Sequence, residues 1–216
     1  MTQYAEPWKD RIGVPESFVA LDPDHDLDAL PGGQDWGPFT DSLRKFLDAV
    51  ATSVPGADAL RAMRADLDGW TRELAGSAVP ERDRAFGHRV DLVGRGQVMA
   101  PWFEVTERAG DSVRGTVRFG PYFLGGHGAV HGGAVALLLD EVLGRLCDTG
   151  GRPPARTAAL DVSFRAITPV DETLDIHAWY DEEVGRKRVL RGEVWHGEVL
   201  CAEARGLFLS LLAGQE

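Results

Sequence analysis

The chain has 216 residues, 44% of them hydrophobic and 26% charged, with a formal net charge of −11 at pH 7. That length predicts one domain with an added segment and a core that needs no covalent staples. The acidic balance argues against non-specific binding to nucleic acid or to an anionic membrane surface, both of which call for positive charge. Cys147 and Cys201 lie in apolar runs without Cys-x-x-Cys spacing and read as buried, reduced thiols. No apolar run reaches the ~18–20 residues of a membrane span. Met1 to Glu6 lack the basic start and hydrophobic stretch of a signal peptide, so the expected location is the cytoplasm and no membrane partner is expected.

Residues 1–35 are acidic and turn-rich, with Asp22 to Asp28 and Pro31-Gly32-Gly33 following no regular period. They read as an extended arm on the surface or on a partner subunit, with disorder as the competing view. Phe39, Leu43, Phe46, Leu47 and Val50 then recur at helical spacing, and Thr40 or Asp41 can cap the helix. Pro55-Gly56 breaks the pattern. A second helix carries Leu60, Met63, Leu67, Trp70 and Leu74 on one face, and Pro80 closes the segment. This predicts a helical hairpin packed on the main domain. The chain divides into residues 1–80, an acidic arm and helical extension, and residues 81–216.

From about residue 86 the pattern turns to strands. Val90–Val93 and Trp102–Glu107 flank Gly94-Arg95-Gly96, and Val113–Phe119 follows the Gly110-Asp111 turn. A loop over 120–130 precedes a helix from Gly132 to about Cys147. Residues 150–154 form a loop. The last third alternates with period two: Leu160, Val162, Phe164 and Ala166 share one face of a strand, and Leu174, Ile176, Ala178 and Tyr180 one face of the next. Residues 187–196 and 199–211 are two further strands turning at His196-Gly197-Glu198. One helix between two early and four late strands predicts a mostly antiparallel sheet folded around that helix, an α+β layout.

The helix over 132–147 holds the chemistry. It is apolar yet contains Asp140 and Glu141, and a carboxylate in such a setting must be paired, hydrogen-bonded or functional. Gly132 and Gly133 open its first turn, where backbone N–H groups lack intrahelical partners and the positive end of the dipole lies. Such a terminus can polarise a carbonyl oxygen or hold an oxyanion. Gly132 and Asp140 are ~12 Å apart along one helix, so one reacting carbonyl cannot touch both in one chain. If both serve one reaction, a second copy supplies one of them, as in a two-fold dimer.

His131-Gly132-Gly133, followed by Leu138-Leu139-Asp140-Glu141-Val142-Leu143-Gly144, resembles the signature of the hotdog-fold acyl-CoA thioesterases of the phenylacetate-pathway type. The resemblance covers roughly residues 94–212. It implies a hotdog fold for residues 81–216: an antiparallel sheet wrapped around a central helix, here with an N-terminal helical extension. It also implies hydrolysis of acyl-CoA by a homodimer or a dimer of dimers. In such enzymes the glycine N–H polarises the thioester carbonyl and a carboxylate nine residues after the histidine acts as base or nucleophile. These roles fall here to Gly132 and Asp140. His131 then orients the thioester or bonds to the incoming loop. Thr157, near the start of the following strand, matches a Ser or Thr that orients the water or the carboxylate; an ordinary β-branched strand residue is the alternative. Glu141, ~100° around the helix from Asp140, reads as structural. Some relatives carry an Asn six residues before the histidine, where this chain has Gly125.

For the CoA phosphates, Arg186-Lys187-Arg188 is the densest basic cluster, since Arg favours bidentate phosphate contacts. Arg165 is a second candidate, by resemblance to an aromatic–Arg pair on that strand, and Gly133 borders the substrate or simply allows close packing. A solvated hairpin tip is the alternative for the basic cluster. His127 and His131 have metal-pair spacing, but the glycines around them make this stretch a loop and no third ligand stands nearby; neither metal nor cofactor is expected. Gly-x-Gly-x-x-Gly, P-loop and Gly-x-Ser-x-Gly patterns do not occur. The rival readings are a non-catalytic acyl-CoA or lipid-like ligand binder with the same pocket, a hotdog dehydratase or hydratase, and a structural dimerisation module.

Overall fold

The computed structural model describes residues 27–212, so most of the acidic arm read over residues 1–35 lies outside the described residues. Helix α1 spans Trp36–Ala51 and α2 spans Ala57–Ala75. The cap expected at Thr40 or Asp41 lies further upstream: α1 begins after Asp35, and Thr40 is buried inside the helix with its hydroxyl donating to the Gly37 carbonyl at 2.9 Å.

α1 packs against two single-turn segments, Val93–Gly96 and Pro121–Phe123. α2 does not complete the expected packed hairpin. None of its residues is buried, and Leu60, Leu67, Trp70 and Leu74 are half-exposed or more. A 3.5-residue apolar spacing makes a helix amphipathic, but it carries no information about which surface will cover the stripe.

Six antiparallel strands form the sheet in the order β1-β2-β6-β7-β8-β5. They are β1 (Trp102–Ala109), β2 (Ser112–Arg118), β5 (Ala155–Phe164), β6 (Thr173–Val184), β7 (Lys187–His196) and β8 (Val199–Ser210). A two-stranded hairpin, β3 (Leu124–Gly126) and β4 (Ala129–Val130), occupies the segment read as a loop. The strand expected over Val90–Val93 does not form. Gly94, Arg95 and Gly96 all have positive φ, and a left-handed turn cannot continue a ladder.

Helix α3 (Gly132–Cys147) lies across the sheet. Val135, Leu138, Leu139, Val142, Leu143 and Leu146 are fully buried, at the i, i+3, i+4 spacing of one helix face. Opposite them are Leu174, Ile176 and Ala178 on β6, Leu190 and Val194 on β7, and Ala202 and Phe208 on β8. Gly192 lets helix and sheet approach closely, since a Cβ there would lie 3.1 Å from Leu139 and 3.3 Å from Leu143. Each of these aliphatic side chains contributes about 1.5–3 kcal/mol by leaving water. An antiparallel sheet curled around one helix, with an N-terminal helical region, is the hotdog layout. Cys147 and Cys201 are buried free thiols. No described helix is long and apolar enough to cross a membrane.

Candidate active site

The loop entering α3 is fixed from both sides. The His131 N–H donates to the Phe123 carbonyl at 2.8 Å, and the Tyr122 N–H donates to the Asp48 carboxylate of α1 at 2.9 Å. Gly120 makes room for that carboxylate, which would stand 2.5 Å from a Cβ at this position. His131 is the N-cap of α3: its Nδ1 accepts the Gly133 N–H at 3.0 Å. A neutral imidazole that accepts at Nδ1 carries its proton on Nε2. The cap also separates the two glycines. Gly133 has its N–H engaged by His131, whereas the Gly132 N–H, in the first turn, receives no acceptor among the described residues. Gly132 is therefore the free donor at the positive end of the helix. The Phe164 ring covers it, 3.2 Å from where a Cβ would sit, and Phe164 is itself 55% exposed.

Two and a quarter turns along α3, the Asp140 carboxylate accepts the Thr157 hydroxyl at 2.9 Å. Strict alternation would put Thr157 on the opposite face of β5 from Leu160 and Val162. A β-bulge between Thr157 and Ala159 resolves this: Thr157 pairs with Phe208 and Ala159 with Leu207, one residue being extra. Ala155 and Thr157 before the bulge, and Leu160 and Val162 after it, thereby all face α3. Local periodicity holds no trace of this irregularity.

Glu141 points elsewhere and pairs with Arg95, which reaches it from the Gly94–Gly96 turn at 3.0 Å. The sequence carried no signal of this ion pair beyond the Gly-Arg-Gly turn. At Gly125 a Cβ would stand 2.8 Å from the His131 Cα and 3.0 Å from its nitrogen. Any side chain there forces the loop away from the helix terminus, so the absent Asn goes with a tighter loop.

The basic residues do not form the surface cluster that their sequence spacing implies. Arg188 is only 1% exposed. Its guanidinium donates to the Cys147 carbonyl at 3.0 Å, the Pro153 carbonyl at 2.9 Å and Glu183 at 3.1 Å, tying the end of α3 to the sheet. Arg186 donates to the Ser210 carbonyl at 2.8 Å, and Arg165 is paired with Glu203 at 3.0 Å. Lys187 alone of the trio stays exposed. A charged residue within a strand alternates between faces like any other, and Arg188 falls on the inward one. Nearby, burial raises the Asp148 carboxyl to about 6, against the opposing pull of the Ala155 N–H and Arg188. Burial also pushes the Cys147 thiol up.

Residues 127–203 match the model of the thioesterase superfamily. Over 94 residues, 43% of this chain, the sequence is 37% identical to the acyl-coenzyme A thioesterase THEM4 of Bos taurus; the match takes in 38% of that relative's length, so this chain corresponds to well under half of it. A crystal structure of a thioesterase superfamily protein superimposes with a TM-score of 0.67 at 27% identity, covering 84% of this chain and 97% of the other. That coverage exceeds the sheet and α3 alone and reaches into the helical extension.

Proposed function

We propose that this chain is a hotdog-fold thioesterase that hydrolyses acyl-CoA thioesters to the free acid and CoA, a reading supported by the match of residues 127–203 to the thioesterase superfamily. The observation that carries this reading is the 2.9 Å bond between Thr157 and Asp140 on a helix whose opposite end bears the unengaged Gly132 N–H. The Gly132 N–H of one protomer polarises the thioester carbonyl. Asp140 of the other takes a proton from water as the water oxygen attacks the carbonyl carbon. The C–S bond then breaks and the sulfur of CoA receives a proton. Thr157 orients the carboxylate, and His131 holds the helix terminus open by engaging Gly133 instead of Gly132.

This mechanism calls for a homodimer, since ~12 Å of helix separates the proposed donor from the proposed carboxylate. The site is accordingly open in the single chain, with His131, Thr157 and Phe164 exposed. β5 is an edge strand with Ala158, Ala159 and Phe164 exposed, and an unpaired apolar edge calls for a cover. The acyl chain runs along α3 between the subunits, and the exposed Lys187 is available to CoA phosphates, whereas Arg165 would first have to leave Glu203. Two buried free thiols suit a reducing cytoplasm.

Thiol release from short, long and aromatic acyl-CoAs, followed with a disulfide reagent, tests the reading. Turnover by the wild-type protein that Asp140→Asn abolishes, with the fold intact by circular dichroism, is the expected result. Binding of acyl-CoA without thiol release would replace hydrolysis with a non-catalytic carrier role.

A further inference from the structure

The Gly94-Arg95-Gly96 turn is energetically unusual. All three residues are left-handed, with φ of 68°, 58° and 64°. Glycine tolerates this, but an arginine there is strained by its Cβ. Such strain persists only where the surroundings over-determine it, and it concentrates at functional positions. The surroundings here do so. The Trp36 indole of α1 donates to the Gly96 carbonyl at 2.8 Å, and the Gly87 N–H donates to the Arg95 carbonyl at 3.1 Å. Arg44 of α1 lies over the Trp102 ring and donates to the Gln97 and Ala100 carbonyls. Any side chain at Gly96 would meet the Trp36 ring at 2.8 Å. The extension therefore clamps this turn against β1.

The conformation delivers the Arg95 guanidinium to Glu141 by two contacts of 3.0 Å, on a side chain only 15% exposed. Glu141 is the residue after Asp140. The two project ~100° apart around α3, one held by Arg95 and the other by Thr157. Adjacent residues anchored in different directions fix the rotation of the helix about its axis. A side-chain atom ~6 Å from that axis moves by ~1 Å for a rotation of ~10°, and a displacement of that size can cost ~10²-fold in rate.

We propose that Arg95 is a positioning residue of the reaction, through which the N-terminal extension sets the rotation of α3 and hence the place of the Asp140 carboxylate. The inference rests on the hydrolase reading above. Its test uses the full chain and the acyl-CoA that wild type turns over fastest, with rates expressed per folded protein. Arg95→Ala is expected to lower kcat by about 10- to 100-fold while KM stays within about 2-fold. Arg95→Lys keeps a cation on Glu141 and is expected to recover at least half of that loss on a logarithmic scale. Glu141→Gln should lower kcat in the same sense, and the double variant with Arg95→Ala should lose less than the two single losses combined, because both break the Arg95–Glu141 contact while Glu141 also faces Arg145. Should Arg95→Ala fail to fold, Glu141→Gln and Arg95→Lys carry the test. An unchanged kcat in Glu141→Gln or in folded Arg95→Ala, a change confined to KM, or an Arg95→Lys enzyme as impaired as the alanine one overturns the role of Arg95 alone. Absence of turnover in wild type overturns the hydrolase reading, and this role with it.

Discussion

Thr157→Val removes one hydroxyl and leaves the strand otherwise intact. Valine keeps the volume and the β-branching that suit β5, so stability should change by no more than about 0.5 kcal/mol. What disappears is the 2.9 Å bond to Asp140. Water replaces that bond in the open resting site at little cost to stability, but the carboxylate then loses, for the reaction, a charge-assisted bond of about 1.5–3 kcal/mol that holds it in place. Thr157 is exposed in the single chain, so the lower end applies, and 1.4 kcal/mol corresponds to about tenfold in rate. The expected outcome is a fall in kcat/KM of about tenfold, carried mainly by kcat, with an unchanged thermal midpoint. Thr157→Ser keeps the hydroxyl and should stay within about threefold of wild type. Thiol-release kinetics beside differential scanning fluorimetry supply both quantities. A Thr157→Val enzyme with wild-type kcat/KM, or a serine variant as impaired as the valine one, would refute the idea that this hydroxyl orients the carboxylate.

Arg188→Met should act on stability and not on substrate affinity. It leaves the Cys147 and Pro153 carbonyls without their donor and Glu183 without its partner, a loss of about 3 kcal/mol or more that urea denaturation would register. KM for acyl-CoA should not move in the folded fraction; a raised KM at wild-type stability would return Arg188 to the binding surface. Asp148 predicts a pH effect of definite sign. Its folded carboxyl titrates at about 6, above the ordinary 3.8, because of burial. Between about pH 4 and 6 the folded protein keeps a proton that the unfolded chain releases, so this group takes stability away as pH rises through that window and imposes a constant penalty above it. Asp148→Asn should therefore gain on wild type in urea midpoint from pH 4 to pH 7. An equal difference at both pH values would show that Asp148 does not titrate in that range.

Much of the fold was legible because it rests on local periodicity. The buried stripe of α3, the alternation of Leu174, Ile176 and Ala178, and the turn at Gly197 are each written within a dozen residues, and hydrophobic burial then leaves few ways to close the sheet over the helix. Helix geometry by itself put Gly132 in the first turn of α3 and separated Asp140 from Glu141 by ~100°, whereas the bond between Asp140 and the Thr157 hydroxyl was expected only from the family resemblance. Where the sequence was silent or misleading, the deciding contact joins distant segments. The bulge that turns Thr157 inward depends on pairing with β8. Arg188 looked like a surface cation because its neighbours are basic, yet the register of β7 against β6 and β8 turns it into the protein. Val90–Val93 had strand composition, but the left-handed turn held by Trp36 and Arg44 ended any ladder there. The apolar face of α2 was plain in the spacing of Leu60, Leu67 and Leu74, and only the tertiary structure left it facing outward. A local pattern states what a segment must bury; which surface meets it is decided by the free energy of the whole chain.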